Sequence, residues 1–345
     1  MRVSPGYQKS GRPTITVAVT TYNRPPLLRE CVHSILEQEY DNLEILIGND
    51  YTAEVVTVDS LGWGPDPRIR IINHPQNVGA YRNNYFLLRE AKGDWFTWLA
   101  DDDLMDPAFL RLAHEALDGS DALSFFCSYA AAPDPDGVFP GEPGMHGELK
   151  IYDGAEFMGE YASRRIRAVG SYGVFKRELL HSIGSVPRFG SGLAVYVDTF
   201  IPVVAAIEGP VAYRSADLVF LRTHAGSQSA NSRELEDYAS AQSDFLAELA
   251  RRCAGFADPR TTEQWRTEFL RWFAMDAWHV VCKRSGCLSR RFAAFVRYFR
   301  ETLGPWVPGR HRAIFTLQIA VAVLVDGIKQ RCHGILMRGG GLLRN

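Results

Sequence analysis

The sequence predicts an α/β fold, a mostly parallel sheet flanked by helices, followed by an α-helical C-terminal region. Two patterns support this prediction. Short apolar runs rich in β-branched residues alternate with segments whose apolar residues recur at helical spacing, and beyond Glu234 the helical spacing continues almost without a break. The chain has 345 residues, of which 46% are hydrophobic, so it has enough apolar side chains for a substantial core.

The first hundred residues contain the alternating strands and helices. Ile15 to Val19 is a β-branched run typical of a buried parallel strand, and Leu27 to Leu36 has the spacing of a helix. Further strands are predicted at Leu43–Ile47, Ile69–Ile72 and Trp95–Leu99, with a helix between Tyr81 and Ala91. Strands that alternate with helices form parallel sheets through right-handed crossovers.

The remainder of the chain changes character twice. Pro133 to Gly147 is rich in Pro, Gly and Asp and is predicted to be a surface loop, and apolar runs return from Ser171 to His224. Helices are then predicted at Leu235–Arg252, Thr261–Lys283, Ser289–Leu303 and Arg312–Arg331. Thr261 with Gln264 fits a capping box. We therefore expect a flexible leader over residues 1–12, an α/β domain over 13–232 and a basic helical region over 233–345.

Charge is distributed unevenly along the chain. The formal net charge of −2 does not favour nucleic-acid binding. Residues 279–345 carry twelve Lys and Arg against two acidic residues, so this end has a net charge of +10 and the preceding residues sum to −12. The six cysteines lack a disulfide-framework spacing and the N-terminus lacks an apolar signal sequence, which predicts a cytoplasmic protein. No apolar run reaches the ~20 residues that span a bilayer.

The basic C-terminal region has two open interpretations. Phe292, Phe295, Val296 and Phe299 fall on one predicted helix face with arginines around them, and Ala313 to Val325 is strongly apolar. Helices of this kind bind peripherally to anionic membranes, here the inner face of the cell membrane. Alternatively, the aromatic face packs on the α/β domain or on another subunit of a homo-oligomer.

Polar residues follow the predicted strands at their carboxyl ends, where ligands of parallel sheets gather. Thr20, Tyr22 and Asp50 follow the first two strands, and Asp101–Asp103 follow the fourth. Three adjacent carboxylates repel one another unless a cation or substrate compensates. Hard oxygen ligands suit Mg²⁺ or Mn²⁺, whose shell substrate phosphates complete. The alternative is a solvated acidic turn that caps the next helix.

Several motifs in order, from Ile15 to about Ser229, together resemble the inverting family 2 glycosyltransferases of GT-A fold. They are Val17-Ala-Val-Thr-Thr-Tyr-Asn-Arg24, Glu44-Ile-Leu-Ile-Gly-Asn-Asp50, Asn77-Val-Gly79 with Arg82, Ala91 to Asp103, Val197-Asp198 and Leu221-Arg-Thr-His224. The resemblance implies an enzyme of polysaccharide biosynthesis. It would move a sugar from a nucleotide-diphosphate donor of UDP, GDP or dTDP type to a hydroxyl of a glycan or lipid-linked glycan.

The resemblance also implies a role for each matching residue. The donor-binding residues that it implies are Thr20, Thr21, Tyr22, Asp50, Arg82 and Asp101. A divalent metal, Mn²⁺ or Mg²⁺, would be held on the donor diphosphate by Asp102 with Asp103 or His224. Asp198 would be the general base that accepts the proton of the acceptor hydroxyl. Because Ala100 stands where many family members have Asp, it stays open which of the three aspartates binds the metal.

Two alternatives to this function stay open. A nucleotidyltransferase would also use aspartates and Mg²⁺, but it would normally have a basic Gly-rich triphosphate loop near the first strand, and the sequence has none. A catalytically inactive glycan-binding or scaffold module would keep the same fold, and the presence of Asp102, Asp198 and His224 argues against it. The sequence has no Walker loop, dinucleotide-binding fingerprint or nucleophile elbow, so nucleotide hydrolysis, hydride transfer and serine esterase chemistry lack support.

Overall fold

The computed structural model describes residues 14–132, 146–183, 189, 196–222, 235–283, 288–307, 309, 315–323 and 325. The chain divides into two compact units. The first contains the described residues within Met1–Pro187 and Val197–Ala230, and the second those within Arg188–Tyr196 and Asn231–Asn345. Most of the predicted loop from Pro133 to Gly147 lies outside the described residues.

The first unit is a mixed α/β domain around a nine-stranded sheet, which confirms the predicted fold class. Its parallel strands are β1 (Ile15–Thr21), β2 (Leu43–Asn49), β3 (Ile69–Asn73) and β4 (Trp95–Ala100), hydrogen-bonded in the order β3-β2-β1-β4. These are the four predicted strands, each extended by one or two residues at its carboxyl end. β1 and β2 are buried along nearly their whole length, as expected of inner parallel strands.

The sheet continues beyond β4 with shorter or antiparallel strands. They are β5 (Leu104–Met105), β6 (Ser124–Ala131), β7 (Leu149–Tyr152), β8 (Val174–Lys176) and β9 (Val211–Leu221), in the order β8-β6-β9-β5 after β4, with β7 paired to β9. β8 is antiparallel to both β4 and β6, and β6 is parallel to β9. The carboxyl ends of β1, β2, β4, β6 and β9 therefore lie along one edge of the sheet.

Helices connect these strands. In the first unit they are α1 (Pro25–Leu36), α2 (Ala80–Glu90), α3 (Phe109–Asp118), α4 (Gly154–Ala162), α5 (Arg177–Ser182) and α6 (Val197–Glu208). α1 begins at a proline, which a first helical turn tolerates because its N–H groups have no partner within the helix. Leu28, Val32 and Ile35 lie on one face of α1 at helical spacing, and all three are completely buried in the core.

A buried carboxylate links β1, β2 and β3 near the amino-terminal ends of these parallel strands. Glu44 on β2 accepts hydrogen bonds from the Thr16 hydroxyl at 2.9 Å, the backbone N–H of Lys92 at 2.9 Å and the Arg70 guanidinium at 3.1 Å. Glu44 is the second residue of its strand, so it lies at the opposite end of the sheet from Asp50. Since a buried charge is tolerated only with such partners, Glu44 stabilises the fold.

We expect Glu44→Ala to lower the free energy of unfolding by about 3 kcal/mol, because it leaves a guanidinium, a hydroxyl and an amide without their shared acceptor. Urea denaturation measures this loss. Glu90 is the matched control, because it pairs with the same Arg70 at 3.2 Å but is exposed, so Glu90→Ala should cost less than about 1 kcal/mol. Equal losses for the two variants would contradict the structural role of Glu44.

The second unit is helical over its described residues. It contains α7 (Leu235–Cys253), α8 (Pro259–Lys283), α9 (Leu288–Tyr298) and a π-helical turn at Phe299–Leu303, and residues 315–323 are also helical. The predicted capping box at Thr261 is wrong. α8 begins two residues earlier, because the Asp258 carboxylate accepts hydrogen bonds from the N–H groups of Arg260 at 2.9 Å and Thr261 at 3.1 Å.

Phe295 of α9 and Phe299 of the following π-helical turn are buried within the helical unit, whereas Phe292 is half-buried and Val296 is exposed. The rings of Phe295 and Trp278 lie 5.8 Å apart, and those of Phe299 and Phe315 lie 6.3 Å apart. These partners belong to the helical unit itself, so the contacts match neither packing on the α/β domain nor packing on another subunit. Between Leu288 and Val325, the exposed large apolar side chains of the described residues are those of Val296, Leu317, Val321 and Val325. Within the part of the chain that the structure describes, no helix combines the length and apolar character needed to cross a bilayer.

Candidate active site

Strand register brings the carboxyl ends of β1, β2 and β4 to the same level. Thr20 pairs with Gly48 of β2 and with Ala100 of β4. The residues that follow this row share one edge of the sheet, as their positions after the strands predict. They are Thr21 and Tyr22, Asn49 and Asp50, and Asp101 to Asp103.

Asp101 is a buried carboxylate held by the end of β1. Its side chain accepts a hydrogen bond from the Thr21 hydroxyl at 2.7 Å and another from the Arg24 guanidinium at 3.2 Å. Burial raises the pKa of Asp101, and the Thr21 hydrogen bond and the Arg24 charge oppose this effect. These partners hold the carboxylate in one orientation at the edge of the sheet.

Asp103 is also buried, and both of its oxygens accept hydrogen bonds. The Tyr172 hydroxyl donates to one, and the backbone N–H of Arg222 donates to the other at 2.9 Å. Burial raises the pKa of Asp103 to about 6, although the two hydrogen bonds act in the opposite direction. Above this pH the carboxylate is ionised in a poorly solvated place, so a cation beside it is stabilising.

Asp102 has the most accessible side chain of the three, 15% exposed against 5% for the Asp101 side chain. The Arg24 guanidinium lies 3.1 Å from one of its oxygens and so bridges Asp101 and Asp102. The backbone carbonyl of Asp102 accepts a hydrogen bond from the Arg222 guanidinium. One arginine thus contacts the carboxylates and another orders the backbone that carries them.

The aspartates supply the oxygen donors that Mg²⁺ and Mn²⁺ prefer. Among the described residues, no three His, Cys, Asp or Glu side chains surround a common metal position. Mg²⁺ is usually held by one or two carboxylates and substrate phosphates, so the cluster fits a metal that binds together with a nucleotide diphosphate. Asp102 is the best-placed donor because it is partly exposed. His224, the other predicted ligand, lies outside the described residues.

Asp50 and Arg82 lie where β2 ends and α2 begins. Asp50 is buried, and its two oxygens accept hydrogen bonds from the backbone N–H groups of Val78 at 2.7 Å and Gly79 at 2.8 Å. Gly79 has a φ of +82°, a conformation that favours glycine. Asp50 therefore anchors the turn before α2, and Arg82 is exposed on the first turn of that helix.

A small cavity of about 10 Å³ lies beside the ends of β1 and β2. Its lining is Thr21, Asn23, Arg24, Pro25, Leu28, Asn49, Tyr51, Glu54 and Val56. Tyr22 is half exposed next to this lining and packs edge-to-face on Tyr51, with ring centroids 5.3 Å apart. Because Thr21 and Arg24 also contact Asp101, the cavity adjoins the aspartate cluster.

Asp198 lies in the first turn of α6. Its side chain accepts a hydrogen bond from the Ser171 hydroxyl. By surface area the residue is exposed, yet enough protein surrounds the carboxyl group for desolvation to raise its pKa, against the opposing hydrogen bonds from Ser171. A carboxylate in a concave, partly desolvated place is a stronger proton acceptor than one in open solvent and remains accessible to a substrate.

Sequence reasoning missed the residues that hold the carboxylates. Arg24 closes the first quoted motif and could have been singled out as a cation that follows β1 directly. In the sequence, Arg222 is marked only by its place in the motif that ends at His224. Ser171 and Tyr172 carry no sequence signal, because their partners Asp198 and Asp103 are 27 and 69 residues away.

Comparison with known proteins finds a family model that matches the first half of the chain. Residues 16–184 match the family model described as Glycosyl transferase family 2. The putative glycosyltransferase EpsH of Bacillus subtilis is 30% identical over 122 residues, which are 34% of this chain and 34% of that protein. The GalNAc(5)-diNAcBac-PP-undecaprenol beta-1,3-glucosyltransferase of Campylobacter jejuni is 29% identical over 180 residues, 49% of this chain and 54% of that protein. The chain thus spans about half or less of the length of these relatives.

Solved structures share the fold. Staphylococcus aureus TarS 1-349 in complex with UDP-GlcNAc has a TM-score of 0.63 at 15% identity, over 91% of this chain and 88% of that one. The mannosyltransferase PcManGT from Pyrobaculum calidifontis, in complex with GDP-Man and Mn²⁺, has a TM-score of 0.50 at 18% identity, over 92% and 87%. At these identities the likeness shows the GT-A fold alone. The match of residues 16–184 to this family model and the shared fold agree with the predicted resemblance to family 2 glycosyltransferases.

Proposed function

We propose that the domain over residues 13–232 transfers a sugar, with inversion, from a nucleotide-diphosphate sugar to a hydroxyl of a glycan or lipid-linked glycan. The observation that carries this proposal is the aspartate cluster at the end of β4, which adjoins the cavity at the ends of β1 and β2. Arg24 lines this cavity and contacts Asp102, which supports binding of a diphosphate and its metal at the same edge of the sheet.

The donor is a nucleotide-diphosphate sugar of UDP, GDP or dTDP type. Solved proteins of the same fold carry UDP-GlcNAc in one case and GDP-Man with Mn²⁺ in another, which supports this class of donor. In this chain Tyr22 and Tyr51 offer aromatic surface at the cavity. Thr20, Thr21, Asp50, Arg82 and Asp101 are the other donor-binding residues that we propose.

Asp102, with Asp103 and His224, would hold the divalent metal, Mn²⁺ or Mg²⁺. When bound, such an ion neutralises the charge that accumulates on the leaving nucleoside diphosphate. Arg24 contributes a fixed positive charge at the same place, because its guanidinium lies within 3.2 Å of Asp101 and Asp102. Thr21 and Tyr172 keep the outer carboxylates oriented.

Asp198 would accept the proton of the acceptor hydroxyl. Its raised pKa strengthens it as a base, and Ser171 orients the carboxylate. A single displacement in which the hydroxyl attacks from the side opposite the leaving group inverts the anomeric carbon. The base then becomes protonated and the nucleoside diphosphate departs.

A donor-hydrolysis screen tests this function without knowledge of the acceptor. The full chain is incubated with nucleotide sugars of UDP, GDP and dTDP type and with Mn²⁺ or Mg²⁺, and released nucleotide is measured. We expect slow metal-dependent release of nucleoside diphosphate from one donor class. Release of pyrophosphate from nucleoside triphosphates instead would favour the nucleotidyltransferase, and no binding of any nucleotide would favour a glycan-binding module.

We also propose that the helical unit attaches the chain to the anionic inner face of the cell membrane. Two observations support this attachment. Residues 279–345 carry a net charge of +10. In addition, Leu317, Val321 and Val325 recur every four residues and are 65%, 52% and 45% exposed, so they form an apolar stripe on one side of the last described helix. The alternative occupant of the stripe is a second copy of the chain.

We expect the full chain to float with anionic vesicles at low salt and to be partly released at 1 M salt, where the Debye length falls to about 3 Å. The double variant Leu317→Ser, Val321→Ser should weaken binding, because both side chains are exposed and their loss removes apolar contact with the bilayer. Thr316→Ser, an exposed change on the same helix, is the matched control. A chain that ignores anionic vesicles at low salt, or a dimer that the double variant breaks, would overturn the membrane proposal.

A further inference from the structure

We propose that the single turn Gly170–Tyr172 is a positioning element that holds the proposed base, Asp198, and the carboxylate Asp103 in fixed places relative to one another. Three consecutive residues of this turn each contact one of the two groups or the helix that carries Asp198. The inference rests on the proposed glycosyl transfer. It adds Ser171 and Tyr172 as positioning residues, which act through the two carboxylates.

Ser171 fixes the proposed base. Its hydroxyl donates a hydrogen bond to Oδ1 of Asp198. Asp198 lies at the start of α6 and the residue is exposed, so the hydroxyl bond removes one of the orientations that its carboxylate could otherwise adopt. The backbone N–H of Ser171 also donates to this carboxylate, so both the main chain and the side chain of Ser171 hold the proposed base.

Tyr172 fixes the other carboxylate. Its ring is buried in the core, and its hydroxyl donates a hydrogen bond to Oδ2 of Asp103. The backbone N–H of Arg222, at the end of β9, donates to Oδ1 of the same group at 2.9 Å. Asp103 is therefore held from two sides, and one of these contacts comes from the residue next to Ser171.

Gly170 brings the turn against the backbone of α6. A Cβ atom at this position would lie 2.5 Å from the carbonyl oxygen of Asp198 and 2.6 Å from the Cβ of Ile201. Such contacts are too close for any side chain, so only glycine permits this approach. The turn thus touches the backbone of Asp198 through Gly170 and its side chain through Ser171.

The turn rests on the centre of the sheet. It leads directly into β8, which pairs with β4 on one side and with β6 on the other. β4 carries Asp103 three residues beyond its last residue, Ala100. The turn and the aspartate cluster are therefore next to neighbouring strands of the sheet, β8 and β4. Because the sheet is rigid, it fixes the turn that contacts α6.

The test compares variants on the donor that the hydrolysis screen identifies and on UDP with Mn²⁺ as a binding probe. We expect Ser171→Ala to lower kcat about 10-fold with little change in KM for the donor or in UDP affinity, and Ser171→Thr to restore the rate. The acidic limb of its pH profile should move to higher pH, because the lost hydrogen bond stabilises the ionised form of Asp198. In the part of the chain that the structure describes, the other titratable groups that interact with Asp198 are Tyr161 and Tyr172, whose pKa values burial raises, so they stay neutral.

Tyr172→Phe should weaken Mn²⁺-dependent UDP binding about 10-fold in calorimetry, a readout that does not require turnover. Matched controls are Ser163→Ala and Tyr213→Phe, which remove hydroxyls that bond to the Gly159 carbonyl and to Ser128. Neither control should change the rate or the binding. Urea denaturation of all variants separates loss of position from loss of fold.

Two outcomes would overturn the inference while the proposed function stands. One is a Ser171→Ala variant with wild-type kcat, and the other is a reduced kcat that Ser171→Thr does not restore and that leaves the pH profile in place. Unchanged UDP binding by Tyr172→Phe would remove Tyr172 from the positioning element. A wild-type chain that turns over no donor would instead contradict the proposed function itself, and the inference with it.

Discussion

Replacing Asp198 by Asn should lower sugar transfer by at least ~100-fold while the affinity for the donor nucleotide stays at the wild-type level. Asparagine keeps the shape of the side chain and can still accept the hydrogen bond from Ser171, but it cannot accept a proton. The loss should therefore appear in kcat. Rates of transfer to a glycan acceptor, together with calorimetry of nucleotide binding, measure the two quantities separately.

The control for this variant is Glu208→Gln at the other end of the same helix, α6. It removes one carboxylate from α6 without touching the contact between Asp198 and Ser171, so transfer should be unchanged. If Asp198→Asn transferred sugar at nearly the wild-type rate, another group would have to accept the proton. The Glu208→Gln variant already tests Glu208 in that role, and Asp217 would be tested next.

In the double variant Asp102→Ala, Asp103→Ala, nucleotide binding should no longer depend on divalent metal. UDP binding in the presence of Mn²⁺ should weaken by at least ~100-fold, because each of the two lost ligands costs about 1.4 kcal/mol of binding free energy, which is a factor of ten in affinity. Calorimetry with and without Mn²⁺ measures this. Asp121→Asn, an exposed carboxylate in the loop before β6, is the matched control. Undiminished metal-dependent binding would show that the metal binds elsewhere.

The pKa of Asp103 gives this binding a pH dependence. Burial raises the pKa of Asp103 from 3.8 to about 6 in the folded protein. Below pH 3.8 the group is protonated in the folded and the unfolded state, so it does not lower the free energy of unfolding. Between pH 3.8 and about 6 the folded state loses stability as pH rises. A cation compensates only the ionised form. The stabilisation by Mn²⁺ and UDP should therefore be larger at pH 7.5 than at pH 5. In the double variant Asp102→Ala, Asp103→Ala the stabilisation should be the same at both pH values.

The parallel half of the fold could be predicted because each strand is a compact apolar run that ends in polar residues. The runs beginning at Ile15, Leu43, Ile69 and Trp95 all form strands. Parallel register then places their carboxyl ends together, as the strand ends predict for Thr20, Tyr22 and the three aspartates, whereas Thr21 was implied only by the family resemblance. Asp50 was also located, although its contacts with backbone N–H groups of the turn before α2 could not be read from the sequence.

The supporting contacts could not be predicted because they join distant parts of the chain. The spacing of residues along a strand or helix says nothing about which hydroxyl reaches Asp103 or Asp198. For the same reason the aromatic pattern of α9 predicted one buried or lipid-facing side without saying what covers it. In the structure this side is covered by Trp278 and Phe315, two residues on other helices that pack against Phe295 and Phe299.

The long reach of the contacts around Asp103 has a consequence for the order of folding. Asp103 bonds to Tyr172 and Arg222, which are 69 and 119 residues later in the chain, and Asp101 bonds to Thr21, 80 residues earlier. Contacts of such sequence separation close large loops and form slowly. The edge that carries the aspartates is therefore complete only when β9 has joined the sheet, so a nascent chain lacking β9 has the carboxylates but not their geometry. A nucleotide that recognises the finished edge selects fully assembled molecules and adds its binding free energy to their stability.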